Sequence, residues 1–67
     1  MYEVYSITNC PFCDKAKELL RETEEGFTEY AIDIQRSLGK SIMERSMMNT
    51  VPIIYRNDVF IGGYNDL

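Results

Sequence analysis

The sequence predicts an α/β sandwich in which a mixed four-stranded sheet has helices packed against it. Its 67 residues are enough for one domain, expected to span 1–67. With 45% apolar and 27% charged residues, the composition is typical of a globular chain. Apolar spacing alternates between strand and helix periods, which gives the order β-α-β-α-β-β with a C-terminal helix that is short or missing.

The first strand and the first helix meet at a cysteine. Tyr2–Ser6 is rich in aromatic and β-branched residues and favours a strand. Pro11 suits the first helical position, because its missing N–H is not needed there, and this makes Cys10 the N-cap. Apolar residues at helical spacing from Phe12 form one face, and the helix is expected to end near Gly26.

The next two elements complete a crossover. Phe27–Ile34 is predicted to be a second strand, parallel to the first through a right-handed connection. A weaker helix is expected from Ser37 to about Met47, although Gly39 lowers its helix propensity. The residues of this helix expected to face the core are Leu38, Ile42, Met43 and Met47.

The last third of the chain predicts a hairpin. Its arms are Pro52–Tyr55 and Val59–Ile61, and Arg56-Asn57-Asp58 forms the loop. Gly62-Gly63 ends the second arm. Tyr64–Leu67 resembles the first turn of a helix, with Asn65 or Asp66 suited to capping.

Charge and hydropathy exclude several classes of partner. The net charge of −4 argues against a nucleic-acid or anionic-membrane surface. No apolar stretch approaches a membrane span, and Met1-Tyr2-Glu3 lacks the pattern of a signal peptide. We expect a cytoplasmic monomer that binds neither nucleic acid nor membranes.

Cys10 and Cys13 carry the predicted chemistry. At an N-cap, the Cys10 sulfur lies where the amides of Phe12 and Cys13 lack helical partners and can donate to a thiolate. Together with the helix dipole, this lowers the pKa of the Cys10 thiol below its ordinary value. A thiol of low pKa leaves readily from a mixed disulfide, so we expect Cys10 to attack and Cys13 to resolve.

Two other interpretations of the cysteine pair remain open. A structural zinc site normally needs four Cys or His ligands, and the chain has two cysteines and no histidine, so only a dimer completes it. The pair can also be two inert thiols of the core. The spacing at a strand-to-helix junction favours redox chemistry over both, with no bound metal or cofactor expected.

Three segments of the chain resemble the signature segments of glutaredoxins. They are Cys10-Pro11-Phe12-Cys13, Thr50-Val51-Pro52 and Gly62-Gly63-Tyr64-Asn65-Asp66-Leu67, and Asp33-Ile34 also fits the family. The likeness covers nearly the whole chain, and three segments in register are far more specific than C-x-x-C alone. The resemblance implies a thioredoxin-like sandwich and a glutaredoxin-type disulfide oxidoreductase.

The resemblance also implies a binding site for glutathione, which would be the reducing co-substrate. It implies a cis bond between Val51 and Pro52, with the Val51 backbone paired to the cysteinyl part of glutathione. The γ-glutamyl end would lie at the last segment, where the Asp66 carboxylate can pair with the α-ammonium. The implied substrate-binding residues are Thr50, Val51, Pro52, Gly63, Asn65 and Asp66. Alone, these segments would indicate only a strand start, a turn and a cap.

Two positions depart from the family pattern. Ile7 stands where glutaredoxins commonly have a lysine, three residues before the first cysteine. Met47-Met48-Asn49 stands where a basic or amide residue usually helps to hold the glycine carboxylate. The cations that could compensate through space are Lys15, Lys17 and Arg45.

Three functions follow from these residues. The first is reduction of protein disulfides or glutathione mixed disulfides with electrons from glutathione. The second is a thioredoxin-like dithiol hydrogen donor to a dedicated enzyme such as ribonucleotide reductase, reduced by a flavoprotein. The third is a dimer that bridges a [2Fe–2S] cluster through Cys10, against which Pro11 and the intact Cys13 argue.

Overall fold

Four strands and two helices alternate along residues 1–67 of the computed structural model, followed by one 3₁₀ turn. The elements are β1 (Tyr2–Ser6), α1 (Pro11–Arg21), β2 (Phe27–Ala31), α2 (Arg36–Ser46), β3 (Ile53–Arg56), β4 (Val59–Gly62) and the C-terminal turn (Tyr64–Asp66). This order is the predicted one. Neither helix has the length and apolar character that a bilayer crossing requires.

The strands form one mixed sheet in the order β2-β1-β3-β4. β1 pairs in parallel with β2, and the β1–β3 and β3–β4 pairs are antiparallel. β1 and β3 therefore lie in the centre, where each is hydrogen-bonded on both sides. The predicted α/β sandwich with a mixed four-stranded sheet is confirmed.

The two faces of the sheet are covered by different helices. Tyr5, Ile53 and Tyr55 form a buried cluster with Ile42 of α2 and with Ile32. Successive strand residues point to opposite faces, so the residues next in sequence to Tyr5, Ile53 and Tyr55 face the opposite side of the sheet. Those neighbours include Val4 and Ile54, which are paired in register and fully buried. The buried residues of α1 are Cys13, Ala16 and Leu20, and α1 packs on that second face.

α1 ends earlier than the sequence predicts. It stops at Arg21, because the backbone amide and the hydroxyl of Thr23 both donate to the Leu20 carbonyl, at 3.1 and 2.7 Å. The predicted end near Gly26 is therefore wrong. Gly26 instead has a positive φ of 73° and turns the chain into β2.

β2 also ends earlier than predicted, at Ala31 and not at Ile34. The amide of Ile32 still donates to the Ser6 carbonyl at 2.9 Å, but the amides of Ile34 and Gln35 fold back onto the Ala31 carbonyl. This turn leads into α2. Ile34 is consequently 76% exposed, so its apolar character misled the strand prediction.

α2 buries most of the residues expected to face the core. Ile42 is buried, and Leu38 and Met43 pack against the central cluster. Met47 is an exception, because the helix ends at Ser46 and Met47 is a C-cap with φ 60° and 91% exposure. The prediction that Met47 faces the core is wrong.

The hairpin has a shorter loop than predicted. Asn57 and Asp58 both have positive φ, 49° and 67°, as the central residues of a type I′ turn require. Arg56 belongs to β3, which begins at Ile53, one residue after the predicted start at Pro52. β4 extends to Gly62.

Gly39 lets α2 approach the chain that follows β2. A Cβ placed on Gly39 would lie 3.0 Å from both the Cβ and the carbonyl oxygen of Ile32. One of these neighbours is backbone, so it moves only if the whole segment moves. The residue that weakens the sequence prediction of α2 is therefore required by its packing.

We predict that Gly39→Ala destabilises the fold by about 1–2 kcal/mol, although alanine gains about 1 kcal/mol of helix propensity. The reason is the overpacking against Ile32. Urea unfolding followed by circular dichroism measures the change. Ser41→Ala, at an exposed position of the same helix, is the matched control and should be neutral or slightly stabilising. A Gly39→Ala protein as stable as the control would contradict this account.

Candidate active site

Cys10 and Cys13 lie at the start of α1, where β1 turns into the helix. Cys10 is the N-cap, with extended φ and ψ of −116° and 100°, and its sulfur accepts a hydrogen bond of 3.2 Å from the Cys13 amide. Pro11 occupies the start of the helix, as predicted. The two cysteines form a disulfide, with their Cα atoms 5.2 Å apart.

The two sulfurs differ in how accessible they are. Cys10 is 9% exposed and Cys13 is 1% exposed. A second molecule therefore reaches Cys10 first, while Cys13 lies beneath it in the first turn of α1. This asymmetry supports the assignment of attack to Cys10 and resolution to Cys13.

The loop before Cys10 is fixed by the turn that follows β2. The Thr8 amide donates to the Asp33 carboxylate at 3.0 Å, and this bond lowers the pKa of Asp33. Asn9 takes the left-handed conformation, with φ 56°. The segment between β1 and α1 therefore has a defined path to the N-cap.

A groove of about 450 Å³ opens beside the cysteine helix, and segments from both ends of the chain line it. The six residues that the resemblance implies for glutathione binding all line this groove: Thr50, Val51, Pro52, Gly63, Asn65 and Asp66. The structure thus brings together two segments of the chain that have ten residues, 53–62, between them. Their role in binding glutathione stays a prediction.

Three further residues line the groove that sequence reasoning did not assign to it: Phe12, Met48 and Tyr64. The rings of Phe12 and Tyr64 lie 5.9 Å apart and form one wall. Phe12 lies between the cysteines and Tyr64 lies within the last signature segment, so their positions in the motifs were the available signal. Met48 lies in the Met47-Met48-Asn49 stretch that departs from the family pattern, and this departure was its signal, although a methionine there is equally typical of a core residue.

The backbone of Val51 is available to a ligand. The Val51-Pro52 bond is cis, as the resemblance implies. Val51 lies before β3, and none of the hydrogen bonds in turns and loops uses its amide or carbonyl. On the other side of the groove, the Asp66 carboxylate accepts from the Gly63 amide at 2.9 Å and so caps the C-terminal turn.

A second polar cluster links α1 to the sheet. The Glu29 carboxylate of β2 accepts hydrogen bonds from Ser6 at 2.6 Å and from Lys17 at 2.8 Å. Lys17 also lies 3.4 Å from Asp14, one residue after Cys13. The bond from Lys17 lowers the pKa of Glu29, and the same bond raises the pKa of Lys17. The cluster ties the first turns of α1 to β1 and β2.

No three His, Cys, Asp or Glu side chains are grouped so that they could hold a metal ion. The chemistry that the arrangement itself offers is thiol–disulfide exchange at Cys10. The groove, which Phe12 of the cysteine motif lines, presents a free backbone edge at Val51 and one carboxylate at Asp66.

Comparison with known proteins gives a consistent result. The family model described as Glutaredoxin matches residues 2–61. Glutaredoxin 3 of Escherichia coli K12 is 37% identical over 65 residues, which covers 97% of this chain and 78% of the relative.

Solved structures agree with the sequence comparison. The dithiolic glutaredoxin 2-C-Grx1 of Trypanosoma brucei brucei has a TM-score of 0.83 and 32% identity, and the match covers 97% of this chain and 70% of that one. A buckwheat glutaredoxin solved as a glutathione complex has a TM-score of 0.85 at 20% identity, covering 97% and 62%. The latter likeness is one of fold.

We predict that Glu29→Gln destabilises the protein by roughly 1 kcal/mol at neutral pH, a modest value because Glu29 is 40% exposed. Its folded pKa lies below the unfolded one, so its contribution is present above the unfolded pKa and is lost as the pH falls. The gap in stability between the two proteins should therefore close below about pH 4. Denaturant unfolding at several pH values measures it.

Glu24→Gln provides the control for this titration. Glu24 is exposed and forms no ion pair in the structure. Its substitution should change stability little at any pH. A Glu29→Gln gap that persists unchanged into acid would show that the carboxylate charge does not stabilise the start of α1.

Proposed function

Because the chain belongs to the glutaredoxin family, we propose that it uses glutathione to reduce protein disulfides and mixed disulfides of proteins with glutathione. Family membership makes it a thiol-disulfide oxidoreductase. The observation that carries the proposal is the position of Cys10, at a helix N-cap with a donated amide, more exposed than Cys13 and close to a groove.

Reduction of a glutathione mixed disulfide needs only Cys10. The Cys10 thiolate attacks the glutathione sulfur, forms a new S–S bond with it and displaces the protein thiolate, which takes up a proton. A second glutathione thiolate then attacks this bond and releases glutathione disulfide and the Cys10 thiolate. The mixed disulfide and one free glutathione thus become the protein thiol and glutathione disulfide, so the protein sulfur is reduced as the incoming glutathione sulfur is oxidised.

Reduction of a protein disulfide uses both cysteines. Cys10 attacks one substrate sulfur, and the Cys13 thiolate then attacks Cys10 of the mixed disulfide and releases the reduced substrate. The enzyme is left with the Cys10–Cys13 disulfide present in the structure. Two glutathione molecules restore the dithiol in two exchanges and leave as glutathione disulfide.

The N-cap geometry contributes at the departure step. The Cys13 amide and the partial positive charge of the helix start stabilise Cys10 as a thiolate. A stabilised thiolate is a better leaving group, so Cys10 is released readily when glutathione attacks the mixed disulfide. The same effect stabilises the reduced enzyme against the disulfide form.

The groove supplies contacts that suit the tripeptide. The unpaired backbone groups of Val51 can pair with the cysteinyl residue of glutathione, in the way that a peptide adds to a strand edge. The Asp66 carboxylate can attract the α-ammonium of the γ-glutamyl end. Thr50, Pro52, Gly63 and Asn65 would form the rest of the glutathione surface.

The proposed setting follows from the electron source. Glutathione keeps thiols reduced in a reducing cytoplasm, and we propose that the protein acts there as a monomer on disulfide-containing proteins. Ribonucleotide reductase is one class of substrate that such a dithiol can reduce. Glutathione is a reducing co-substrate in this scheme and not a resident cofactor.

We predict that the unmodified chain and Cys13→Ser reduce a mixed disulfide of glutathione with mercaptoethanol, whereas Cys10→Ser is slower by more than about a hundredfold. The reason is that this reaction involves the Cys10 sulfur alone. Oxidation of NADPH, coupled through glutathione reductase, measures the rates. With a protein disulfide as substrate, Cys13→Ser should also lose activity.

Circular dichroism provides the control that each variant is folded. If all three folded proteins are inactive with glutathione but the unmodified chain is reduced by thioredoxin reductase, the proposal is wrong and a dedicated dithiol donor replaces it. Activity in Cys10→Ser equal to that of the unmodified chain would instead show that the attacking sulfur is misassigned.

A further inference from the structure

The groove beside the cysteine helix is nearly free of charge. Of the nine residues that line it, only Asp66 is charged, and that charge is negative. No lysine or arginine lines it. The whole chain has a net charge of −4, so the protein as a whole repels an anion.

The three cations that could compensate are engaged elsewhere or are peripheral. Lys17 is bonded to Glu29 and lies near Asp14. The Arg45 guanidinium lies 4.7 Å from the ring centre of Tyr55, which belongs to β3. Neither residue lines the groove.

Lys15 comes nearest to the groove. Its ammonium lies 5.3 Å from the ring centre of Phe12, which is a lining residue. Phe12 is 55% exposed, however, so Lys15 lies over a solvated ring and its attraction for an anion in the groove is screened by water and salt. The groove therefore has no cation of its own.

Met48 is a lining residue of the groove at which a single substitution would introduce a cation. Its terminal methyl carbon lies 3.5 Å from where a Cβ on Gly63 would lie, so Met48 reaches the segment before the C-terminal turn. It also packs against the central core cluster. A thioether there offers an adaptable apolar surface and no hydrogen-bond donor.

Glutathione carries two carboxylates and one ammonium. The ammonium can pair with Asp66, but the groove holds no cation for the glycine carboxylate, which the net negative charge of the chain repels. A cysteine within a polypeptide continues as a neutral amide and does not meet this repulsion. The electrostatics of the groove thus distinguish a free carboxylate from an amide on the carboxyl side of the reacting cysteine.

We propose that the groove prefers a cysteine followed by a neutral amide, as in a polypeptide, to one followed by a free carboxylate, because none of its lining residues is a cation. The inference rests on the proposed function and names the substrate class that the site suits best. Polypeptide disulfides are then the favoured substrates, and the glycine carboxylate of glutathione weakens its binding.

The test compares two disulfides that differ in one group. They are the mercaptoethanol mixed disulfides of glutathione and of glutathione glycinamide, in which the free carboxylate is replaced by an amide. The reduced Cys13→Ser protein reacts once with each, and the appearance of the S–S bond on Cys10 is followed by mass spectrometry. The Cys10 thiolate displaces mercaptoethanol in both cases, so the chemical step is the same.

We predict that the amide reacts about two- to fivefold faster than the acid at low ionic strength, and that the preference shrinks in high salt. Met48→Lys in the same background should weaken or reverse the preference, because it adds a positive charge to a groove that has none. Met48→Leu is the matched apolar variant and should keep the ratio of the two rates.

The proposed function and the inference about the groove are contradicted by different results. Equal rates, or a preference for the free carboxylate in the protein with Met48, would overturn this inference and leave the proposed function intact. If neither disulfide reacts with Cys10 of the folded protein, the proposed function is wrong and the inference is overturned with it. The rates of the Cys13→Ser protein that keeps Met48 test the inference even if Met48→Lys does not fold.

Discussion

The hydrogen bond from the Cys13 amide to the Cys10 sulfur is the interaction on which the site depends. It exists only because β1 ends at Ser6 and a short loop delivers Cys10 to the start of α1 in an extended conformation. The bond from Thr8 to Asp33 fixes that loop, and the cluster around Glu29 fixes the first turns of the helix. These contacts together hold the Cys10 sulfur at the start of α1.

The sheet supplies the second half of the site. β3 pairs antiparallel with β1, which brings the segment before β3, including Val51, to the edge where Cys10 lies. β4 returns antiparallel to β3 and delivers Gly63 and Asp66 to the same groove. The central position of β1 and β3 therefore explains how cysteines near one end of the chain meet binding residues near the other.

Local signals in the sequence predicted the elements well, because each depends on its own residues. Pro11 marked the start of α1, and the order of strands and helices followed from apolar spacing. The errors occur at the ends of elements, where turn and capping hydrogen bonds decide: Ile34 is exposed because a turn onto Ala31 ends β2, and α1 stops short of Gly26 because Thr23 bonds to Leu20. A long-range contact decides at Gly39, which fits α2 because of its approach to Ile32. Six groove residues came from resemblance, while the three-dimensional arrangement was needed to show that Phe12, Met48 and Tyr64 line the same groove.

The central claim is that the N-cap position stabilises the Cys10 thiolate. The most direct measurement is the ultraviolet absorbance of the thiolate during a pH titration of the reduced Cys13→Ser protein, first folded and then in denaturant. The account predicts that Cys10 in the folded protein ionises at clearly lower pH than in the denatured chain. Ionisation at the same or higher pH in the folded protein would contradict it.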